Sequence, residues 1–250
     1  MAILYVAAEA AELKPFAARL TGLRKLKWPV DYAQEGIWEG RRVMLAANGA
    51  GPKLAAQAVE IAIRAVSASQ LESSRLEAVV SVGFCAALCS DLLHNQIVVA
   101  TGVIDPASAE TFPANPVQTS LPHATGPIIS QDCVAVTADD KARLQPSGAL
   151  AVDMESSGVA ARATRAELPF FAVKVVSDLA SETLPIDFNR LRTQEGRLAR
   201  GKIVLHALSH PHLLGSLLQL KRRSDDAARA LGDFLVSCKF EFESRLSAAE

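Results

Sequence analysis

Two acidic clusters in the second half of the chain carry the residue types needed for acid–base chemistry. Asp153-Met154-Glu155 follows the short apolar run Ala149-Leu-Ala-Val152, and Ser177-Asp178 closes the run Leu168-Pro-Phe-Phe-Ala-Val-Lys-Val-Val176. Both runs read as buried strands and the stretch between them as a helix, giving strand, helix, strand with an acid beyond each strand. In open α/β sheets ligands sit outside the carboxyl ends of the strands, where side chains converge without breaching the core. Two carboxylates at that rim suit a reaction with one group holding hydroxyls and another donating a proton. Each acid alone has a plainer role. Asp178 can cap the next turn, Glu155 can favour the dipole of a first helical turn, and Asp153 reads as an N-cap rather than a catalyst. It is the pairing of two acid-bearing ends in one βαβ unit that points to an active centre.

The chain around these acids has 250 residues, half of them hydrophobic, and a formal net charge of -1. That is enough apolar material for a sizeable core. No block of like charge suggests a nucleic-acid arm, so no nucleic-acid partner is expected. Cysteines occur only at 85, 89, 133 and 238, too few and too irregular for a disulfide framework, which points to a reducing compartment. Cys85 and Cys89 lack a second ligand pair and read as buried thiols, so no metal site is expected. No leader pattern opens the chain and no apolar run reaches membrane-spanning length. The expectation is a cytoplasmic protein.

The elements that must position the acids can be read in order. Ala2–Ala8 reads as a buried parallel strand ending at Glu9, and Glu9–Leu20 as a helix with Leu13, Phe16, Ala17 and Leu20 on one face. Tyr32–Trp38 and Arg41–Ala47 read as a hairpin about Glu39-Gly40. Asn48-Gly49-Ala50-Gly51-Pro52 then leads into an Ala-rich helix over 53–67. This turn is no dinucleotide fingerprint, because Leu54 falls where a third glycine would be needed. Strands are expected at 78–83 and 96–103, and a helix over 137–144 capped by Thr137. Between them, residues 106–127 hold five prolines and little periodicity, and read as a loop long enough for a lid. Two or three helices should follow Glu182, with His206, His210 and His212 as a surface cluster. Leu213–Leu220 with Lys221-Arg222-Arg223 reads as a docked helix ending in a cationic turn, with peripheral contact to an anionic membrane surface as the alternative. The fold class is thus α/β, a three-layer α/β/α sandwich with a mixed central sheet. Residues 1–186 should form the core and 187–250 a helical C-terminal extension packed on the same domain.

Taken together, Ala151-Val-Asp-Met-Glu-Ser-Ser157 and Leu168-Pro-Phe-Phe-Ala-Val-Lys-Val-Val-Ser-Asp178 resemble the signature of the nucleoside phosphorylase and nucleosidase superfamily. That superfamily includes purine nucleoside phosphorylases and methylthioadenosine/adenosylhomocysteine nucleosidases. The resemblance extends to the opening strand with Glu9 and Glu12, to Asn48-Gly-Ala-Gly51 and to Gly83, about three quarters of the chain. From Gln194-Glu-Gly-Arg197 through Pro211 and Leu217 to Ala230 the tail further resembles the hopanoid-associated phosphorylase branch.

The resemblance implies a nucleoside substrate, cleavage of its N-glycosidic bond, and a homo-oligomer. Met154 would pack under the ribose, and Glu155 would accept hydrogen bonds from its 2′- and 3′-hydroxyls. Asp178 would protonate the departing purine, with Ser177, Phe84, Cys133 and Val134 around the base. Glu9, Gly49, Gly83 and Lys174 fall at the phosphate or water subsite, and Lys14 lies within reach of it. No metal or organic cofactor is implied, although phosphate would be a co-substrate in phosphorolysis. Phosphorylases of the superfamily commonly place Arg two residues before the strand-end Gly and Ser just after it; here those positions hold Ser81 and Phe84. Glu12 falls where hydrolytic members carry the glutamate that deprotonates water. Water is therefore the preferred nucleophile, acting on a purine (adenine) nucleoside or a 5′-substituted adenosine. The alternatives are phosphorolysis, including of a hopanoid-associated adenosyl lipid, and a nucleoside-binding protein without catalysis.

Overall fold

The computed structural model describes residues 1–68, 75–193 and 214–241. The chain opens with β1 (Ala2–Ala7), whose six residues are all buried. That suits its place between two parallel neighbours, β4 (Arg41–Ala47) and β5 (Leu76–Ala87). β4 is also the second arm of a hairpin with β3 (Tyr32–Trp38). The two turn residues, Glu39 and Gly40, have φ of 47° and 77°, the left-handed pair that matches strand twist in a two-residue hairpin. β2 (Thr21–Lys25) pairs with β3 at the exposed edge.

Beyond β5 come β6 (Ile97–Asp105), β7 (Glu110–Pro113), β8 (Ala124–Ser130), β9 (Ala151–Asp153) and β10 (Phe170–Asp178). β10 pairs parallel with β5 and antiparallel with β6; β6 pairs with β8, β8 with β9, and β9 returns to β5. The mixed sheet expected from the sequence is therefore present, but part of it closes on itself. The length of β5 allows the closure. Leu76–Ser81 pairs with β1, and after β1 ends Ala86 and Ala87 take β9 as their partner. Gly83 lies between these two pairings with φ of 126°, a backbone conformation that L side chains rarely adopt.

Helices cover both faces. α1 (Ala10–Ala17) and α5 (Leu214–Leu235) pack with Val80, Val173 and Val175 in one apolar cluster that includes Leu13, Phe16, Leu231 and Phe234. α2 (Pro52–Ser67) and α4 (Ser156–Arg165) pack with Leu4, Val79 and Ala172 in a second cluster, through Ala58, Val59, Ala160 and Ala163. Both helix pairs approach closely at a glycine. A Cβ at Gly158 would meet the Pro52 carbonyl, and one at Gly232 would meet Pro15. The short α3 (Ala138–Leu144) is capped as expected, with the Thr137 Oγ1 accepting from the Asp140 amide at 3.0 Å.

Two expectations need correction. The proline-rich stretch 106–127 is no plain loop, since it contains β7 and the start of β8. Pro127 is tolerated inside β8 because it sits at the register shift where β6 jumps from Ala100 to Val103, so no ladder amide is needed there. The cationic triplet 221–223 also lies inside α5 rather than at a helix end, because one helix runs through from 214 to 235. Lys221 pairs there with Asp225 and Arg223 with Glu182. His206, His210, His212 and the 194–211 part of the tail resemblance lie outside the described residues. Among the described residues, no helix is long and apolar enough to cross a membrane.

Candidate active site

The site lies where β1, β5, β9 and β10 end. Glu12 projects from the first turn of α1 and is buried. Its Oε1 accepts the Glu9 amide at 2.7 Å, completing a capping box, and its Oε2 accepts the Phe84 amide at 3.0 Å. A Cβ at Gly83 would collide with that same Oε2, so the glycine is what lets the carboxylate lie against the bend of β5. Burial, and then the nearby Glu155, push the Glu12 carboxyl up to about 8, against the pull of its two amide donors and Lys174. The carboxyl of Glu9 belongs to the cap of α1, and Lys14 is exposed.

Glu155 follows β9 and precedes α4. It is buried, and its Oε1 accepts the Gly51 amide at 3.0 Å, joining the 48–52 turn to the site. Gly51 has φ of 111°, which turns that amide inward. Burial first, and then Asp153, raise the pKa of Glu155, while Lys174 and the Gly51 amide oppose the rise. Met154, beside it, is half-buried. The turn itself is fixed by the buried Asn48, whose Nδ2 donates to the Leu54 carbonyl at 3.2 Å.

Lys174 and Asp153 form a fully buried ion pair at 2.7 Å, and the Lys174 Nζ also donates to the Val82 carbonyl at 3.1 Å. Burial works against the Lys174 charge, but Asp153, Glu155 and Glu12 outweigh it and hold its pKa above the ordinary value. Asp153 also accepts the Ser156 amide at 3.1 Å and the Ser156 hydroxyl at 2.6 Å; Ser156 Oγ is 3.0 Å from Ser81 Oγ. Asp153 thus tethers the first turn of α4, as a cap would, while also holding the site lysine. Ser81 supports this buried polar chain from β5.

Asp178 closes β10, four residues beyond Lys174, or ~13 Å along an extended strand. Its Oδ1 is 2.8 Å from the Ser177 hydroxyl, and its Oδ2 is 2.6 Å from Lys141 Nζ of α3. Lys141 escaped the sequence reading because the run Ala138-Asp-Asp-Lys-Ala-Arg143 looks like a solvated helix. It is in fact fully buried, and its Nζ also donates to the Leu179 and Glu182 carbonyls at 2.7 and 2.9 Å.

Two segments at the rim are clasped together. Asn189 bonds both backbone groups of Val134, at 2.8 and 3.0 Å, and Arg192 reaches the Asp132 carboxylate at 2.6 Å and carbonyl at 2.8 Å. The 130–134 loop is thereby tied to the 187–192 segment; Cys133 is exposed on that loop and Val134 half-buried. The Arg192 guanidinium also reaches the Ala50 carbonyl at 3.4 Å, next to the amide that Glu155 accepts. Phe84 is half-buried and packs on the α1/α5 face. Sequence carried no signal for Asn189 or Arg192, whose partners lie 55 and more residues away. No group of three or more His, Cys, Asp and Glu side chains is placed to hold a metal among the described residues.

The α/β fold thus gathers its acids toward strand ends, with the Glu12 carboxylate rather than a glycine-rich phosphate loop at the first turn. Residues 109–209 match the model of the phosphorylase superfamily. Comparison with curated proteins gives no match. Among solved structures, the chain is similar to the S-adenosylhomocysteine nucleosidase of Streptococcus pyogenes in complex with 5-methylthiotubericidin. That match has a TM-score of 0.71 at 18% identity and covers 95% of each chain. It is also similar to the 5′-methylthioadenosine/S-adenosylhomocysteine nucleosidase of S. pneumoniae with a transition-state inhibitor (TM-score 0.68, 16% identity, 95% of this chain and 97% of that one). A futalosine hydrolase mutant of Helicobacter pylori gives a TM-score of 0.69 at 15% identity, over 95% and 97%. The resemblance to the nucleoside phosphorylase and nucleosidase superfamily is thus carried by a family model over part of the chain and by the fold over nearly all of it.

Proposed function

We propose that this protein is an enzyme that hydrolyses the N-glycosidic bond of a purine nucleoside, adenosine or a 5′-substituted adenosine. The observation that carries the reading is the seat of Glu12. Its carboxylate occupies the bend at Gly83 and takes the Phe84 amide, where a phosphorylase would need donors for phosphate. The other anion-binding groups are engaged as well: the Gly49 amide donates to the Ala8 carbonyl at 2.9 Å, and Lys174 is paired with Asp153. Among the described residues, the buried cation beside Glu12 and Glu155 is Lys174, already engaged by Asp153, so a phosphate dianion there would be poorly matched. Water beside a carboxylate suits the same place.

In this reading Glu155 holds the ribose hydroxyls, with Met154 beneath the sugar. Asp178 hands a proton to the leaving purine near Ser177 and Phe84, and the 130–134 loop borders the base. Glu12 takes a proton from water as its oxygen attacks the anomeric carbon. Positive charge growing on the sugar is matched by the surrounding carboxylates, and charge on the base is neutralised by protonation. No metal or organic cofactor enters these steps. The nucleosidases of like fold, described as acting on methylthioadenosine and adenosylhomocysteine, support adenine nucleosides as the first substrates to try. The test is release of free base from adenosine, methylthioadenosine, adenosylhomocysteine and a 5′-alkylated adenosine. Base should appear from at least one; folded protein that binds these compounds and releases none contradicts the reading.

A further inference from the structure

Lys141 is a charged side chain near the site that the proposed steps leave without a task. Lysine is seldom fully buried without a specific partner, and here the partner is Asp178. The ammonium bridges α3 to the turn after β10 by donating to the Leu179 and Glu182 carbonyls, and its remaining side faces Asp178 Oδ2 at 2.6 Å. Oδ2 is shut off from solvent and has no hydrogen-bond partner among the described residues, so the lysine acts on it as a nearby positive charge rather than as a proton donor. The two oxygens of Asp178 are therefore unlike. Oδ2 is tied to a fixed positive charge, while Oδ1 faces the Ser177 hydroxyl at 2.8 Å. That hydroxyl has one proton and two acceptors in reach, Oδ1 and the Cys85 carbonyl at 3.2 Å. When it donates to Cys85, its oxygen can accept from a proton on Oδ1.

We propose that Lys141 is the positioning residue of the leaving-group acid, turning Asp178 so that Oδ1 meets the base and supporting the charge left on the carboxylate once its proton has gone. The inference rests on the hydrolase reading above. In the step it serves, the bond between the anomeric carbon and the purine nitrogen breaks and its electron pair passes to the base. The proton on Asp178 Oδ1 moves to a ring nitrogen of that base, leaving a carboxylate beside the ammonium. The water oxygen bonds to the anomeric carbon and its proton goes to Glu12. Glu12 gains the proton that Asp178 loses, and solvent exchange resets both. Lys141 keeps its three protons throughout. A fixed cation beside a charge that develops in the transition state acts without reorganisation.

A leaving group that needs no proton separates this role from a merely structural one. Lys141→Met should lower kcat on the purine nucleoside about 10- to 100-fold with little change in KM, yet leave cleavage of 4-nitrophenyl riboside within about threefold of wild type. Asp178→Asn should show the same selectivity. In the Asp178→Asn background Lys141→Met should cost almost nothing more, since the two act as one unit. Equal loss on both substrates by folded Lys141→Met protein, or multiplicative losses in the double variant, would overturn the proposal. Should the methionine variant not fold, Lys141→Gln takes its place with the same outcomes required. Wild-type protein that cleaves neither substrate would sink the hydrolase reading and this inference with it. Wild type active on the purine, with Lys141→Met equally active, would sink the inference alone.

Discussion

The burial of Glu12 makes acid–base behaviour at this residue measurable in two ways. Its folded-state pKa of about 8 lies above the 4.5 of the free group, so the unfolded chain releases the proton first. Between those values the folded state binds the extra proton, and rising pH favours unfolding. The melting temperature of the wild type should therefore fall as pH rises from about 5 to about 8, and less steeply for Glu12→Gln; a group buried this deeply carries of the order of a few kcal/mol. Parallel melting curves for the two proteins would remove Glu12 as the source. Catalysis should move the other way. The base must be a carboxylate, so kcat/KM should climb through about pH 8, and Glu12→Gln should lower kcat by ~10²-fold or more. At this scale the sequence located the acids but not all of their partners. Asp153 and Asp178 close strands, Glu155 follows one, and Asp153 tethers α4, while Lys174 joins them from the middle of β10 through Asp153. Lys141 and Arg192 were illegible because their meaning comes from partners distant in the chain, and nothing in local composition marks a helical lysine as buried.

The elements hold these residues through close helix contacts. α4 carries Glu155 at its start and lies against α2 at Gly158, where a side chain would strike the Pro52 carbonyl. Backbone cannot yield as a flexible side chain would, so Gly158→Ala should force the helices apart and destabilise the fold by about 1–3 kcal/mol. It should also weaken nucleoside binding, because Pro52 follows the Gly51 amide that Glu155 accepts. An unchanged melting temperature for this variant would show that the contact relaxes freely. Strand and helix identities were legible from apolar runs and caps: β1, the β3–β4 hairpin, α2, α3 and β10 lie within a few residues of their expected places. β7 and β8 were not, because five prolines in 106–127 dominate local propensity, whereas pairing with β6 is a tertiary gain that tolerates Pro127 at a register shift. The continuity of α5 through its cationic triplet was likewise hidden, since Asp225 and Glu182 supply the counter-charges.

At the scale of the whole molecule, strand pairing brings these contacts together. Closure of β5, β10, β6, β8 and β9 on one another requires β5 to change partners at Gly83, and that bend creates the amide niche at Phe84. The sequence located Gly83 but not the closure, which depends on β5 outlasting β1. Glu12 fills the niche, and among the described residues the neighbouring buried cation, Lys174, is paired with Asp153. In the proposed reaction Glu12 and Glu155 would face the sugar, with Asp178 and Lys141 toward the base. Hydrolysis is what the proposed reading expects of such a division, and the sugar product tests it most directly. Reaction of the cleaved nucleoside in phosphate buffer, followed by analysis of the sugar, should give free ribose or its 5′-substituted form at a rate independent of phosphate. A sugar 1-phosphate, formed at a rate that saturates with phosphate, would contradict the account.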